Sequence, residues 1–519
     1  MKRLNLDFEK LKVFGFYVLL LLLCIASVLR TNNYDYDLWA RLIAGMYVVQ
    51  TGHVAKYDFL SFTPTHNWYD HEWGSGTIFY LLQHNFGHIG LLLLQVVLVF
   101  FTMFFLIKAV KVRCLKEYNY RNILIYFMVL DAFMVTYSAV VRCHSFTFMF
   151  FIFELFLLEY VRTSKNYKWL YILPVIFLIW TNLHGGVVSG LGLLAIYTFG
   201  QILEKNPFKH YLILTCICPL MLFVNPYGID YVKFLMHATT MPRPDISEWW
   251  PIFNKINWKF FKSFKIMTAF ILSVELMKLI KTGFNYKNLD KTKFIILSVT
   301  LYIAVIHAKM MPFFILCAVV YCYNDVCNLF KNIRFPKWGM PFLTIFLVFY
   351  SLIMICFKNF ETMVDFKRYP LLEVEFIKKN HITGNILTNF GFGSFVSYKL
   401  YPHNKVYMDG RYEEVYDDYI LAELRDFYTL KNDPLKILEK YPIDIILLEK
   451  YYGTYNLIKN LEDWTLVFEG TNFGVFVKKG KINKNSLVDP NNKLEFYQKT
   501  IFNTDINFYG NKVIGQVKN

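Results

Sequence analysis

The sequence predicts an all-α polytopic membrane bundle followed by a C-terminal soluble α/β domain. Of the 519 residues, 55% are hydrophobic and only 18% are charged, whereas a soluble globular domain is usually about 25% charged. The charge deficit lies before residue 358, and the later residues are polar and mixed. We therefore expect a membrane domain over residues 1–358, an extracytoplasmic α/β domain over 359–480, and a polar, loosely held tail over 481–519.

Apolar segments of about the length needed to cross a bilayer predict roughly eleven transmembrane helices. They lie at about 13–30, 88–108, 122–140, 145–161, 169–183, 186–203, 210–225, 264–281, 293–307, 311–330 and 341–357. The first has basic flanking residues but no small-residue cleavage motif, so we interpret it as an uncleaved span.

Charged residues predict the orientation of these spans. The formal net charge is +16, and clusters of Lys and Arg recur beside alternate spans, as at 108–121, 162–168 and 205–209. The positive-inside rule makes these loops and the N-terminus cytoplasmic, and puts the C-terminal domain on the outer side of the membrane. The clustering explains the basic balance without nucleic acid. The nine cysteines lack zinc-site spacing, and none follows Cys356, so no disulfide framework supports the C-terminal domain.

The predicted first outer loop, residues 31–87, opens with two aspartates in "NNYDYDLWARLIAG". Apolar residues at helical spacing follow, up to Gly52, which predicts an amphipathic helix in the membrane interface with Trp39 as its aromatic anchor. Asp37 directly precedes this helix and is expected to be its N-cap. Residues i and i+2 of an extended segment point the same way, so Asp35 and Asp37 would project together. One carboxylate could then cap the helix while the other takes a proton or binds a metal.

Further polar residues gather in the predicted outer loops. Asp58, Asp70, His71 and Glu72 lie among aromatic residues, a mixture that suits a sugar ring but also an interfacial aromatic belt with solvated acids. Other polar groups lie at predicted outer span ends, namely Arg142, His144, Asn182, His184, Glu248, His307 and Lys309. Singly, each would snorkel or pack in the bundle. Jointly, the basic members favour an anionic, lipid-linked ligand.

In the C-terminal domain, "ILTNFGFGSFVSYKLYPHNKVYMDGR" reads as a strand, a glycine-bearing turn at 389–393, a helix, a second strand and then Asp409. Asp409 and Arg411 could contact substrate or could form a pair that stabilises the domain. Three further strands are expected at 443–449, 464–470 and 473–479, with helices near 417–430, 434–441 and 451–461.

The order of these motifs resembles the GT-C glycosyltransferases, and also a group of bacterial polytopic proteins assigned to that superfamily. The resemblance rests on Asp37, Trp39, Gly45, Asp58, Ser61, Phe62, Thr63, Trp68, His71, Glu72 and Trp73, and continues through "WTNLHGG", "NPYG" and "MDGRYEEVY". The C-terminal layout is similar to the "WWDYG" region of the oligosaccharyltransferase catalytic subunit, although the double tryptophan and its aspartate are absent here.

The resemblance implies inverting sugar transfer from a polyprenyl-phosphate or polyprenyl-diphosphate donor to a glycan, lipid or protein. The expected location is the outer face of the cytoplasmic (inner) membrane of a bacterium. It makes Asp37 the catalytic carboxylate, with Asp35 beside it, and the outer polar groups substrate-binding. The cofactor stays undetermined; a divalent cation, Mg²⁺ or Mn²⁺, on Asp35 and Asp37 is one option. The expected partners are membrane lipids and the lipid-linked donor. Two alternatives remain open: a transporter or flippase of lipid-linked glycans, and a non-catalytic protein with this fold.

Overall fold

The computed structural model describes residues 2–30, 34–114, 126, 128–133, 141–281, 283, 289–329, 336, 338–358, 360, 367–482, 487–489 and 500–508. Its chain forms two compact units. The first comprises Met1–Asn32 and Ile89–Glu361, and the second comprises Asn33–His88 and Thr362–Asn519. The predicted outer loop and the C-terminal domain therefore belong to one unit, although about 270 residues separate them in the sequence.

The helices and strands follow in chain order. The helices are α1 (Lys2–Arg30), α2 (Tyr36–Thr51), α3 (Trp73–Cys114), α4 (His144–Ser164), α5 (Leu173–Leu183), α6 (Val187–Leu203), α7 (Lys209–Ile217), α8 (Ile229–Thr240), α9 (Lys262–Lys281), α10 (Lys291–Ile306), α11 (Met311–Leu329), α12 (Gly339–Lys358), α13 (Leu371–Lys379), α14 (Phe390–Leu400), α15 (Asp418–Thr429), α16 (Lys436–Lys440) and α17 (Gly453–Lys459). The strands are β1 (Gly384–Thr388), β2 (Asn404–Val406), β3 (Ile445–Glu449), β4 (Trp464–Glu469) and β5 (Phe473–Lys478).

Five helices in the described part of the chain are long and apolar enough to cross a membrane. They are Lys10–Arg30, Trp73–Cys114, His144–Ser164, Ala308–Leu329 and Pro341–Lys358. The apolar segments Tyr167–Leu183, Val187–Leu203 and Lys209–Phe223 are shorter. A helical bundle that contains apolar helices of membrane-spanning length is thus confirmed, but the predicted count of about eleven spans is not. The predicted span at 122–140 lies largely outside the described residues.

Two of the predicted spans are interrupted by tighter 3₁₀ turns. Tyr167–Ile172 is a 3₁₀ turn that leads into α5, where Pro174 occupies the first turn, and Cys218–Phe223 is a 3₁₀ turn that contains Pro219. Proline lacks the amide proton that a continuous α-helix requires, so it is tolerated at the start of a helical segment and breaks one in its interior.

An ion-pair network in the first unit joins segments beside alternate predicted spans. Arg113 donates to Glu159 over 2.7 Å and to Asp290 over 2.8 Å, while Arg162 donates to Glu204 over 2.6 Å. These residues flank the second, fourth, sixth and ninth predicted spans. The network therefore ties these four segments together.

The second unit contains a five-stranded mixed sheet in the order β2-β1-β3-β5-β4. Strand β1 is parallel to both β2 and β3, and β5 is antiparallel to β3 and β4. The α/β prediction is confirmed, including the series of β1, turn, α14 and β2. At the β2 edge, the amide of Phe62 donates to the carbonyl of Val406, and the amide of Val406 donates to the carbonyl of Leu60. The predicted outer loop therefore extends the sheet.

Helix α2 is buried in this unit, so the prediction of an interfacial helix is wrong. Residues 38–47 are all buried. Trp39 is fully buried and lies against Tyr369, Phe395 and Tyr398, and its indole N–H donates to the Tyr369 hydroxyl over 3.3 Å. The apolar stripe was read correctly. Its cover is protein, because α2 packs along α14 of the C-terminal domain.

Two glycines allow α2 to approach α3 closely. A Cβ on Gly45 would lie 2.0 Å from the Gly76 carbonyl oxygen, and a Cβ on Gly76 would lie 2.7 Å from the Arg41 carbonyl oxygen. No side chain fits at those distances, so glycine at both positions sets the helix separation.

Candidate functional site

The N-terminus of α2 presents the aspartate pair. Asp35, not Asp37, is the N-cap: its backbone is extended, with φ −84° and ψ 150°, and its carboxylate accepts the Asp37 amide over 2.9 Å. The helix begins at Tyr36, two residues earlier than expected, which places Asp37 in the first turn. The predicted assignment of the cap to Asp37 is therefore wrong. Both carboxylates benefit from the partial positive charge at a helix N-terminus.

The Asp37 carboxylate faces the turn that follows β2. A Cβ on Gly410 would lie 3.4 Å from Asp37 Oδ1 and 3.4 Å from Ser394 Oγ, and the Gly410 amide donates to that Ser394 hydroxyl over 3.2 Å. In the turn after β1, a Cβ on Gly391 would lie 3.7 Å from the Tyr36 ring. The start of α2 therefore meets the turns after β1 and β2, at the carboxyl edge of parallel strands, where α/β folds bind ligands.

The turn after β1 is held by a polar pair. The Asn389 side chain accepts the Gly391 amide over 2.8 Å, which caps α14, and donates to Glu449 over 2.9 Å. Glu449 ends β3 at the same edge, and burial raises its pKa to about 7, although Tyr428 and Asn389 oppose the increase. Only glycine fits at position 393, since a Cβ there would lie 2.3 Å from the Met408 carbonyl oxygen.

Sequence reasoning did not single out Glu449. It closes the apolar strand "IDIILLE", and a carboxylate at the carboxyl end of a predicted strand was the available signal.

Arg41 is the centre of a buried network that the sequence did not anticipate. Its guanidinium donates to Asp70 and, over 2.9 Å, to Glu414, and it lies 3.3 Å from Glu72. Arg41, Asp70 and Glu414 are each no more than 3% exposed. The network joins α2, the segment before α3 and the turn after β2, so it fixes α2 against the C-terminal domain.

His71 completes this network as a cation. Its Nδ1 lies 3.1 Å from Glu414 and its Nε2 lies 3.7 Å from Glu72. Burial alone would lower the pKa of His71, but Glu72 and Glu414 outweigh it and raise that pKa to about 9. Burial likewise raises the pKa of Asp70 to about 6 in spite of Arg41. Glu414 was the other missed residue; its signal is the adjacent acid pair in "RYEEVY", of which it is the buried member.

A second buried cluster surrounds Arg411, whose side chain is fully enclosed. Arg411 pairs with Asp58 and donates to Asp409 over 2.9 Å, and its guanidinium lies 4.6 Å from the centre of the Trp68 ring. Burial would raise the pKa of Asp58, but Arg411 holds it below the usual value. Asp58, Asp409 and Arg411 are thus core residues, which favours the domain-stabilising interpretation of the Asp–Arg pair.

The first unit gathers its predicted site residues into two groups. In one, Arg142 donates to Glu248 over 2.8 Å, and Lys309 lies 3.8 Å from the other oxygen of that carboxylate. His307 Nδ1 lies 2.8 Å from the Trp249 carbonyl oxygen, and Lys309 is 5.6 Å from the centre of the Trp249 ring. Burial would raise the pKa of Glu248, but Arg142 and Lys309 lower it to about 2.

The other group lies where α5 ends. His184 Nδ1 is 2.7 Å from the Thr147 hydroxyl and accepts the Gly186 amide over 2.9 Å. The His144 and His184 rings are 6.2 Å apart between centroids, and the Asn182 side chain donates to the Val224 carbonyl over 2.9 Å. Hydrogen bonds to the backbone thus account for part of the polarity at this position.

Comparison with known proteins defines the class of fold: a helical bundle with a small C-terminal sheet, similar to that of solved oligosaccharyltransferase structures. No protein-family description matches the chain, and no curated protein matches its sequence. The fold that the resemblance implied is therefore confirmed through structure.

The similar solved structures include three of the oligosaccharyltransferase AglB from Archaeoglobus fulgidus. The apo form matches with a TM-score of 0.56 at 10% identity, covering 84% of this chain and 69% of that one. The form in complex with an inhibitory peptide and a dolichol-phosphate gives 0.56 at 8% identity, covering 84% and 70%. The form tethered to an acceptor peptide with an NVT sequon gives 0.52 at 8% identity, covering 83% and 69%. Identities this low establish the fold alone.

Proposed function

We propose that this protein is an integral membrane glycosyltransferase that moves a sugar from a polyprenyl-phosphate or polyprenyl-diphosphate carrier to a glycan, lipid or protein acceptor. The observation that carries the proposal is the placement of Asp37, half-buried at a capped helix N-terminus and facing the turns at the carboxyl edge of the sheet. Support comes from the similar structures, which were solved with an acceptor peptide and with a dolichol-phosphate.

The proposed role of Asp37 is to orient the acceptor and take its proton. As the acceptor oxygen or nitrogen forms its bond to the anomeric carbon, the bond from that carbon to the phosphate oxygen breaks, and the electron pair leaves with the phosphate. The acceptor proton passes to the Asp37 carboxylate. Asp35 holds the first turn of α2 in place through its hydrogen bond to the Asp37 amide.

For the donor phosphate, we assign a role to the cluster of Arg142, Glu248 and Lys309 in the first unit. Two cations meet one carboxylate there, and guanidinium and ammonium groups are the side chains that bind phosphate oxygens.

Asp35 and Asp37 also fit a divalent cation in the chemistry of their donor set, since carboxylate oxygens are the ligands that Mg²⁺ and Mn²⁺ prefer. When bound, such an ion would supply electrophilic stabilisation of the leaving phosphate. The half-buried setting of both side chains leaves them accessible from solvent.

The test compares two isosteric variants of the full chain, Asp37→Asn and Asp35→Asn. Asn caps helices about as well as Asp, so Asp35→Asn preserves α2. Loss of a general base lowers rates by about 10²–10⁴-fold, and we expect Asp37→Asn to fall in that range. The assay follows radiolabelled sugar out of the lipid-linked fraction of membranes that contain equal amounts of folded variant. Wild-type transfer by Asp37→Asn would overturn the assignment.

A further inference from the structure

Residues 500–508 cross the second unit as an ordered segment, whereas the sequence predicted a loosely held tail. Ile501, Ile506 and Phe508 are buried. The Phe502 ring lies 5.0 Å from the Tyr34 ring and 5.6 Å from the Trp39 ring, measured between centroids. These contacts place Phe502 beside the first turns of α2, close to the Asp35 cap.

The same segment also contacts the far end of α2. The Phe508 ring lies 5.1 Å from the Tyr47 ring and 5.3 Å from the Phe59 ring. The Phe508 amide donates to the Gln50 side chain over 2.6 Å. Nine residues thus span the length of α2, with one aromatic ring at each end.

Main-chain atoms of the segment are tied to α14. Lys399, only 4% exposed at its side chain, donates to the carbonyls of Thr500 and Asn503 over 3.1 and 2.8 Å. The Tyr398 hydroxyl donates to the Phe502 carbonyl over 2.8 Å, and the Thr504 hydroxyl donates to the Tyr398 carbonyl over 2.6 Å. The Lys399 ammonium also pairs with Glu375 over 3.5 Å. The two carbonyls satisfy its other donors, which makes the attachment specific, because unsatisfied buried donors are costly.

Helices α2 and α14 carry the two halves of the candidate site. Asp35 and Asp37 lie at the start of α2, and Asn389 and Ser394 lie at the start of α14. Gly410 faces Asp37 of α2, and its amide donates to Ser394 of α14. The distance between Asp37 and Gly410 therefore depends on how the two helices are held together. A segment that contacts both of them therefore acts on the geometry of the site without touching it.

We propose that residues 500–508 are a strap that positions Asp37, with Phe502 and Phe508 as the positioning residues. The strap clamps α2 to α14 through aromatic contacts on one helix and main-chain hydrogen bonds on the other. The geometric part of this inference stands without the proposed function, and only its kinetic consequence depends on it. Small displacements of a catalytic group lower the reaction rate strongly, because the rate depends on alignment of the reacting atoms.

Hydrogen exchange measured by mass spectrometry tests the geometric part. In full-length Phe502→Ala and Phe508→Ala, we expect the amides of 36–51 to exchange at least about tenfold faster, since local opening follows lost packing. Exchange in β3 and β5 should not change. Asp505→Asn is the matched control, because Asp505 is exposed and contacts Lys378. Unchanged exchange in α2 for both alanine variants would overturn the strap; if either fails to fold, Phe502→Leu and Phe508→Leu take their place.

Transfer kinetics test the positioning role. We expect kcat to fall at least about tenfold in Phe502→Ala with donor KM within about twofold, and Phe502→Tyr, which keeps the ring, to recover most of it. Equal kcat in Phe502→Ala and wild type, with faster exchange in α2, would overturn positioning while leaving the strap. If wild type transfers no sugar, the proposed function fails, and exchange still decides the strap.

Discussion

His71 offers a direct measure of the charge network that holds α2. The histidine lies against Glu72 and Glu414, and its pKa rises from 6.5 to about 9 in the folded chain. Because the folded pKa is the higher one, protonation favours the folded state. Its contribution is complete below pH 6.5 and is lost as the pH rises through 9. The difference between the two pKa values corresponds to about 3 kcal/mol, which is the upper limit of the contribution of His71 protonation to the free energy of unfolding.

The assay is the stability of full-length protein in detergent between pH 6 and 9.5, for wild type and His71→Gln. The difference between the two curves removes the titration of every group that both proteins share. We expect wild type to lose up to about 3 kcal/mol relative to His71→Gln across pH 6.5–9. Glu72→Gln removes one of the two carboxylates, so the pH-dependent difference should shrink in that background. Parallel curves for wild type and His71→Gln would refute the network as described.

Two further predictions concern the contacts that assemble the second unit. Gly45→Ala would place a Cβ 2.0 Å from the Gly76 carbonyl oxygen, and we expect it to lower the free energy of unfolding by about 1–3 kcal/mol or more. Gly192→Ala is the control, because no heavy atom lies within 4 Å of that position, and it should be neutral or stabilising. Thermal unfolding of the full-length variants in detergent measures both. Arg411→Met would leave the buried carboxylates of Asp58 and Asp409 without their cation, and we expect it to lower the free energy of unfolding by about 3–5 kcal/mol. Adding Asp58→Asn should recover part of that stability. If the two substitutions destabilise additively, the pairing is contradicted.

Local patterns in the sequence were sufficient for much of the fold. Short apolar runs predicted all five strands, and the turn after β1 was located from its glycines. These features depend on neighbours in the chain, which is why they can be read from sequence. The number of spans was less accessible, because segments near the length limit can be interrupted by a single proline, as at Pro174 and Pro219.

Helix α2 illustrates what a pattern leaves undecided. Its apolar spacing and its end at Gly52 were read correctly. An apolar stripe shows only that this face of the helix is shielded from water. The same apolar residues suit contact with lipid or with protein, so composition does not distinguish the two. The stripe therefore predicts an interfacial anchor at Trp39, whereas that side chain lies among aromatic residues of 369–398 and 502. The cap was misplaced for a related reason, since Asp35 and Asp37 are equally good capping residues and only backbone geometry separates them.

By itself, the sequence determined a membrane bundle with a C-terminal α/β domain, and it pointed to the aspartate pair. Only the tertiary structure decided that residues 33–88 fold with residues 362–519. It also decided that Arg41 and Arg411 pair with carboxylates more than 300 residues away, and that 500–508 contacts both α2 and α14. The physical reason is that hydrophobic patterning is local and periodic. Pairing of buried charges, in contrast, depends on which distant segments meet. The spacing of residues along the chain does not show which segments those are.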